Sequence, residues 1–186
     1  MWLPIALMGF VVAYLIVTYN AFVSLRNRAR NAWADIDVQL KRRHDLVPNL
    51  VETVKGYAAH ERSVFEDVAR LRARAMQLEE TQERAAAEAE LAGAIKTLFA
   101  VAESYPQLRA DRNFRELQSQ LTQIEDQLQY ARRYYNAVVR DLNTKREVFP
   151  SSLVGSWFGF GRLPYFQAED EDREPIAVTM KEGGEQ

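Results

Sequence analysis

Residues Trp2 to Tyr19 carry no charged side chain, and no polar stripe interrupts the run. At 1.5 Å per residue these positions reach about 27 Å, close to the roughly 30 Å hydrocarbon thickness of a bilayer. A core helix of that length would be expected to show a polar face, so the run predicts a membrane-crossing helix. The pattern then turns periodic. Leu25, Ala29, Trp33, Ile36, Leu40, His44, Val47, Val51, Val54 and Ala58 recur at spacings of three and four. One helix is therefore expected from residue 3 to about 58. Pro48 lies inside it, removes an amide donor and crowds the carbonyl of His44, which predicts a kink.

Shorter stripes follow. Val64, Val68, Leu71, Ala75 and Leu78 mark one helix, and Leu91, Ile95, Leu98, Ala102 and Tyr105 another, closed by Pro106. Polar residues Glu79 to Glu83 separate them, with Thr81 as the expected cap. The last stripe is the clearest: Phe114, Leu117, Leu121, Ile124, Leu128, Ala131, Tyr135, Val138 and Leu142 alternate threes and fours without a slip. That heptad seam predicts a helix packed lengthwise on partners. Asn113 with Glu116 reads as its capping box, and Phe149-Pro150 as its stop. No period-two alternation occurs, so the class is all-α. The break near residue 80 decides between three long helices and an up-down arrangement of four, the first and last long and the middle two about half as long.

Charge adds orientation. Arg26, Arg28 and Arg30 follow the apolar run and no Lys or Arg precedes it. The positive-inside rule then places the amino terminus outside and residues from about 24 onward in the cytoplasm. Trp2, Tyr14 and Tyr19 lie near the ends of the run, where amphipathic rings favour the membrane interface. A cleaved signal peptide would show a basic leader and an A-x-A site, and neither is present. Residues 1–21 are thus expected to be a retained single-pass anchor in the cell (inner) membrane. The chain has 24 basic and 26 acidic residues and no cysteine. This balance argues against a nucleic-acid binder, and the lack of cysteine removes disulfides, a lipidation site and thiolate metal ligands. Residues 167–186 hold seven acids against two bases and are expected to form a disordered acidic tail.

Arg30 to His60 reads RNAWADIDVQLKRRHDLVPNLVETVKGYAAH. Together with AESYP (102–106), NFRELQ (113–118), ARRYYN (131–136) and FP (149–150), it resembles the LemA family of bacterial membrane-anchored proteins across residues 11–166. The resemblance implies an N-terminal transmembrane helix and, over 22–149, a cytoplasmic antiparallel four-helix bundle. It supplies no catalytic residue. Relatives in magnetosome membranes point to membrane organisation by analogy alone. Residues 79–83 depart from the family, which often starts a helix there with Ser-Pro.

Candidate chemistry is sparse. His44 sits on the apolar stripe four residues before Pro48, beside Asp45. A buried imidazole there could donate to its own freed carbonyl or to a carboxylate on another helix. That makes a satisfied core histidine, or a ligand- or proton-sensing one. Lys41, Arg42 and Arg43 form the densest basic cluster, some 30 Å beyond the anchor. That is too far for lipid headgroups at a screening length of about 8–10 Å, so the cluster is paired internally or used on a partner. Neither His44 nor His60 has the Glu-x-x-His spacing of a di-metal carboxylate site. No phosphate loop or nucleophile elbow occurs either, so catalytic, cofactor and metal residues are expected to be absent. Residues 150–166 mix Trp157, Phe158, Phe160, Tyr165 and Phe166 with three glycines. They are expected either at the membrane interface, with Trp157, Phe158 and Phe160 as contacts, or folded onto the end of the helices. The expected role is a non-enzymatic scaffold or adaptor whose partners are the lipid bilayer, membrane or cytoplasmic proteins and further copies of itself.

Overall fold

A computed structural model describes residues 2–78 and 82–166, except the side chain of Gln82. Among these residues the secondary structure is wholly helical. The helices are α1 (Trp2–Lys55), α2 (Arg62–Gln77), α3 (Gln82–Glu103), α4 (Pro106–Ala110), α5 (Arg112–Glu147) and α6 (Ser151–Trp157). The expected cap at Thr81 and the acidic tail lie outside the described residues.

α1 and α5 form the long axis. Their facing pairs are Phe22 with Lys145, Trp33 with Tyr135, Arg43 with Glu125, and Tyr57 with Asp111. As the α1 number rises the α5 number falls nearly one for one, so the two run antiparallel in a single register over their full contact. The heptad stripe of α5 is its buried face, from Phe114 through Leu128 to Leu142. Spacings of three and four keep one stripe aimed at one partner, which is what such a seam requires.

α2 and α3 cover the half of this pair far from the N-terminus. α2 turns back along α1, with Lys55 over the Phe65 ring and Arg72 bonded to the His44 carbonyl. α3 runs back beside α2, tied by Arg74 to Glu90 at 2.8 Å. The core there is mostly aliphatic, with Val47, Leu50 and Val54 of α1, Val68 of α2, Leu91 and Leu98 of α3 and Leu108 of α4, joined by the rings of Phe65 and Phe114. The near half has less of this cover, with only the start of α3 reaching it through Ala85 and the Arg84–Asp37 pair. Its core of Ala29, Ala32, Ile36, Leu128, Ala131 and Val138 is closed by the irregular segment after α6, whose Phe166 is buried against it.

Three local expectations change. α5 starts at Arg112, and its cap is Asp111, whose carboxylate accepts from the Phe114 amide at 2.9 Å, so Asn113 and Glu116 do not form the capping box. The Phe114 amide holds the Asp111 carboxyl below the ordinary value, and the Tyr57 hydroxyl, 3.1 Å away, adds to that. Pro106 does close the stripe of α3, but it also opens α4, where a missing amide costs nothing at the first helical position. Ser151–Trp157 is helical, although the glycines of 150–166 argue against a stable helix, and Gly155 lies where an added Cβ would stand 3.2 Å from the Phe22 ring.

Candidate functional site

His44 and Arg43 occupy adjacent positions on α1, about 100° apart on the helix, yet both are buried, at 5% and 2% exposure. The residue that reconciles them is Glu88 of α3, which is completely buried. Arg43 Nη2 pairs with Glu88 Oε2 and also donates to the Glu88 backbone carbonyl at 3.2 Å. On the other carboxylate oxygen, His44 Nε2 stands 2.9 Å from Oε1, at ion-pair distance but off hydrogen-bond alignment. Arg43 Nη1 reaches Glu125 of α5 at 3.4 Å, a longer contact to a partly exposed carboxylate. One guanidinium thus joins α1, α3 and α5.

α2 completes the cluster. Pro48 cannot donate to the carbonyl of His44, four residues back, and Arg72 Nε fills that vacancy at 2.7 Å. The helix runs on through Pro48 to Lys55. Of the two roles open to the imidazole, facing a carboxylate on another helix is the one adopted, and the freed carbonyl goes to an arginine instead.

The electrostatics follow from the geometry. Burial pushes the Glu88 carboxyl up, but the His44 contact and the Arg43 charge together outweigh it, and its pKa lies below the ordinary value. Taking a carboxylate out of water costs several kcal/mol, roughly, unless charge and hydrogen bonds replace the solvent. Here both oxygens face cationic or potentially cationic groups. Arg43, His44 and Glu88 are all buried, so the cluster can hold α1, α3 and α5 in register.

The other predicted residues are elsewhere. Lys41, Arg42, Asp45 and Pro48 are exposed. Arg42 and Asp45 line a groove of about 330 Å³ between α1 and α5, floored by Leu46 and Ile124. The basic triplet is therefore split, with Arg43 inside and its two neighbours outside. Arg26, Arg28 and Arg30 are exposed near the start of the helical body, Trp2 is exposed at the tip of α1, Tyr14 is half-buried and Tyr19 borders on exposed. Phe160 is a correction. It is 5% exposed and stacks on Phe22 with ring centres 4.8 Å apart, so it packs within the protein rather than facing lipid, whereas Trp157 and Phe158 remain exposed. Among the described residues no cluster of His, Asp and Glu has the arrangement of a metal site.

Sequence reasoning missed Glu88 although a signal existed. The stripe Leu91, Ile95, Leu98 extends backward by three to position 88, where a lone carboxylate sits on the apolar face of an alanine-rich helix. It also missed Asn136 and Asn143. Asn143 donates to the Leu163 carbonyl at 3.0 Å and accepts from the Leu163 amide at 3.1 Å. Asn136 does the same for Phe166, at 2.9 and 2.8 Å. Each side-chain amide acts as one rung of a strand ladder and pins the segment after α6. Asn136 ends the ARRYYN motif, and the two stand one heptad apart beside the seam.

The model of the LemA family matches residues 32–180, beginning after the apolar run. Magnetosome protein MamQ 2 of Paramagnetospirillum magneticum is 24% identical over 195 residues, spanning 91% of this chain and 72% of that protein. Magnetosome protein MamQ of Magnetospirillum gryphiswaldense is 23% identical over 202 residues, with 95% and 74% covered. Protein LemA of Metamycoplasma hominis is 22% identical over 164 residues, with 86% and 74% covered.

Proposed function

This chain belongs to the LemA family, and on that premise we propose that it is a non-enzymatic scaffold anchored in the inner membrane by α1. The observation that carries the reading is the continuity of α1. One helix of 54 residues holds both the exposed apolar run and the helical body, with no hinge between them. Such a mast carries its surface a fixed distance from the bilayer, which suits an organiser of other proteins. The similarity to magnetosome proteins supports the same direction. The basic residues at 26, 28 and 30 favour a cytoplasmic body with the amino terminus outside. Within that body α1, α2, α3 and α5 act as an up-down antiparallel four-helix bundle, supported by the alternating directions of their pairwise contacts.

Partner proteins, or a second copy, meet the α1–α5 face left open opposite α2 and α3. It presents Lys41, Arg42 and Asp45, and beside them Val38, Tyr130 and Tyr134, large side chains that stay exposed. A photo-crosslinker placed at Lys41 or Arg42 in intact cells captures a defined protein if this is right. Capture only from positions on α2 refutes it.

A second reading, a ligand- or proton-sensing bundle, has its own observation: His44 is buried 2.9 Å from the Glu88 carboxylate. If the cluster senses protons, His44→Gln abolishes the cellular role and leaves the crosslinks at Lys41 intact. The scaffold reading expects the role to survive His44→Gln and to be lost on charge reversal at Lys41 and Arg42.

A further inference from the structure

α6 is amphipathic on two sides, and only one is used. Ser151, Val154 and Gly155 turn inward and are buried, and Val154 packs with Phe22 and Phe160. Leu153 and Trp157, neighbours at a spacing of four, face away, and Trp157 is 72% exposed. Phe149 just before the helix and Phe158 just after it are also exposed. Four large apolar side chains therefore stay exposed on or beside one short element.

Their position along α1 identifies what covers them. The Phe22–Val154–Phe160 cluster also receives Tyr14 and Leu15, and Phe158 meets Tyr19 edge-on at 4.9 Å. α6 thus lies beside α1 residues that belong to the apolar run, overlapping its last turn or so by about 7 Å. On the body side of the same level stand Arg26 over the Phe160 ring, Lys145 over the Phe22 ring, and Arg146, which donates to the Phe160 carbonyl at 2.6 Å. Aromatic and aliphatic groups beside the apolar run, with cations on the body side, match the acyl-to-headgroup boundary of a phospholipid leaflet.

We infer that α6, flanked by Phe149 and Phe158, is a second bilayer contact, seated in the interfacial layer of the leaflet from which α1 emerges. This rests on α1 spanning the membrane, and it adds that the body is held at two points rather than swinging on one. A leaflet is the occupant this placement favours, because Phe158 meets Tyr19 and so joins the exposed patch to the exposed apolar run.

The test uses the full chain in nanodiscs containing brominated phosphatidylcholine, comparing the native sequence with Trp157→Phe. Trp157 is 72% exposed, so this variant is expected to keep the fold, and its remaining tryptophans are Trp2 and Trp33. The inference expects bromolipid to quench a larger share of emission in the native chain than in the variant, with the difference protected from aqueous acrylamide. Equal quenching with the Trp157 signal open to acrylamide leaves α6 in water and overturns the inference. A Trp157 signal closed to both quenchers means that another copy covers it, and overturns it equally. If bromolipid fails to quench Trp2 in the variant, α1 itself is not in the bilayer, a separate result that removes the premise.

Discussion

The two halves of the α1–α5 pair are covered by different means. Far from the apolar run, two whole helices lie over the seam, and α3 brings the buried Glu88 in with it. Near the run, an irregular segment does the covering, and it is fixed by two asparagine side chains. The difference follows from length. α1 beyond the run and α5 each extend about 50 Å, but α2 and α3 are roughly half to two thirds of that. They cannot reach the near end, so something else must shield Ala29, Ala131 and Tyr135. A helix satisfies its own backbone and can be placed by side-chain contacts alone. An irregular segment cannot, and each buried amide and carbonyl needs a partner. Asn136 and Asn143 supply two such pairs, and the Tyr135 hydroxyl donates to the Pro164 carbonyl at 3.0 Å.

The far half is predicted to be the more fragile to a single charge change. Glu88→Gln leaves Arg43 buried against a neutral amide, and about 3–5 kcal/mol of stability should be lost, read from denaturant midpoints. The double variant Arg43→Met with Glu88→Leu removes the whole pair and should recover most of that loss. If it does not, the cluster does more than balance its own charges.

The near half should fail locally. Asn143→Ala deletes two hydrogen bonds and should cost about 1–3 kcal/mol. Hydrogen exchange should then speed up at Leu163 and Phe166 while the amides of Val47 and Leu98 stay protected. Loss of protection throughout would mean that the segment and the helices fold as one unit, which erases the distinction between the halves.

Acid should separate the halves again. The Glu88 carboxyl has a lowered pKa in the folded protein, so its contribution is complete above the ordinary value of 4.5 and drains away as pH falls through the lower folded value. Glu88→Gln should flatten that part of the stability profile, and Asn143→Ala should leave its shape unchanged. At the small end, Arg62 and Glu66 form an exposed pair on α2, and Glu66→Ala should change stability by about 0.5 kcal/mol or less.

The long seams were legible because each buried face repeats at three and four for many turns, and burial repays that regularity. The main stripes over 114 to 142 and 29 to 54 could be read, while buried residues beside them, Ala32, Leu50 and Val139, could not. Glu88 was harder, since an isolated carboxylate on an alanine-rich helix looks solvent-facing until a buried arginine is known to oppose it. Arg43 hid for the converse reason, inside a basic triplet whose other members are exposed. The asparagine pins carry no periodic apolar signal at all. Their partners are backbone groups some twenty and thirty residues away, and no side-chain pattern marks a backbone partner. The caps show the same limit at short range, where Asp111 and Asn113 both suit the start of α5 and only the path of the preceding turn selects Asp111.

Everything proposed for function depends on α1 passing through a bilayer and leading straight into the body. Protease added to sealed spheroplasts, and separately to inverted inner-membrane vesicles, reads this most directly. The account predicts that the chain stays with the membrane through alkaline extraction, and that its body is cut in inverted vesicles and spared in spheroplasts. Release into the alkaline supernatant, or cutting of the body in spheroplasts, would contradict it.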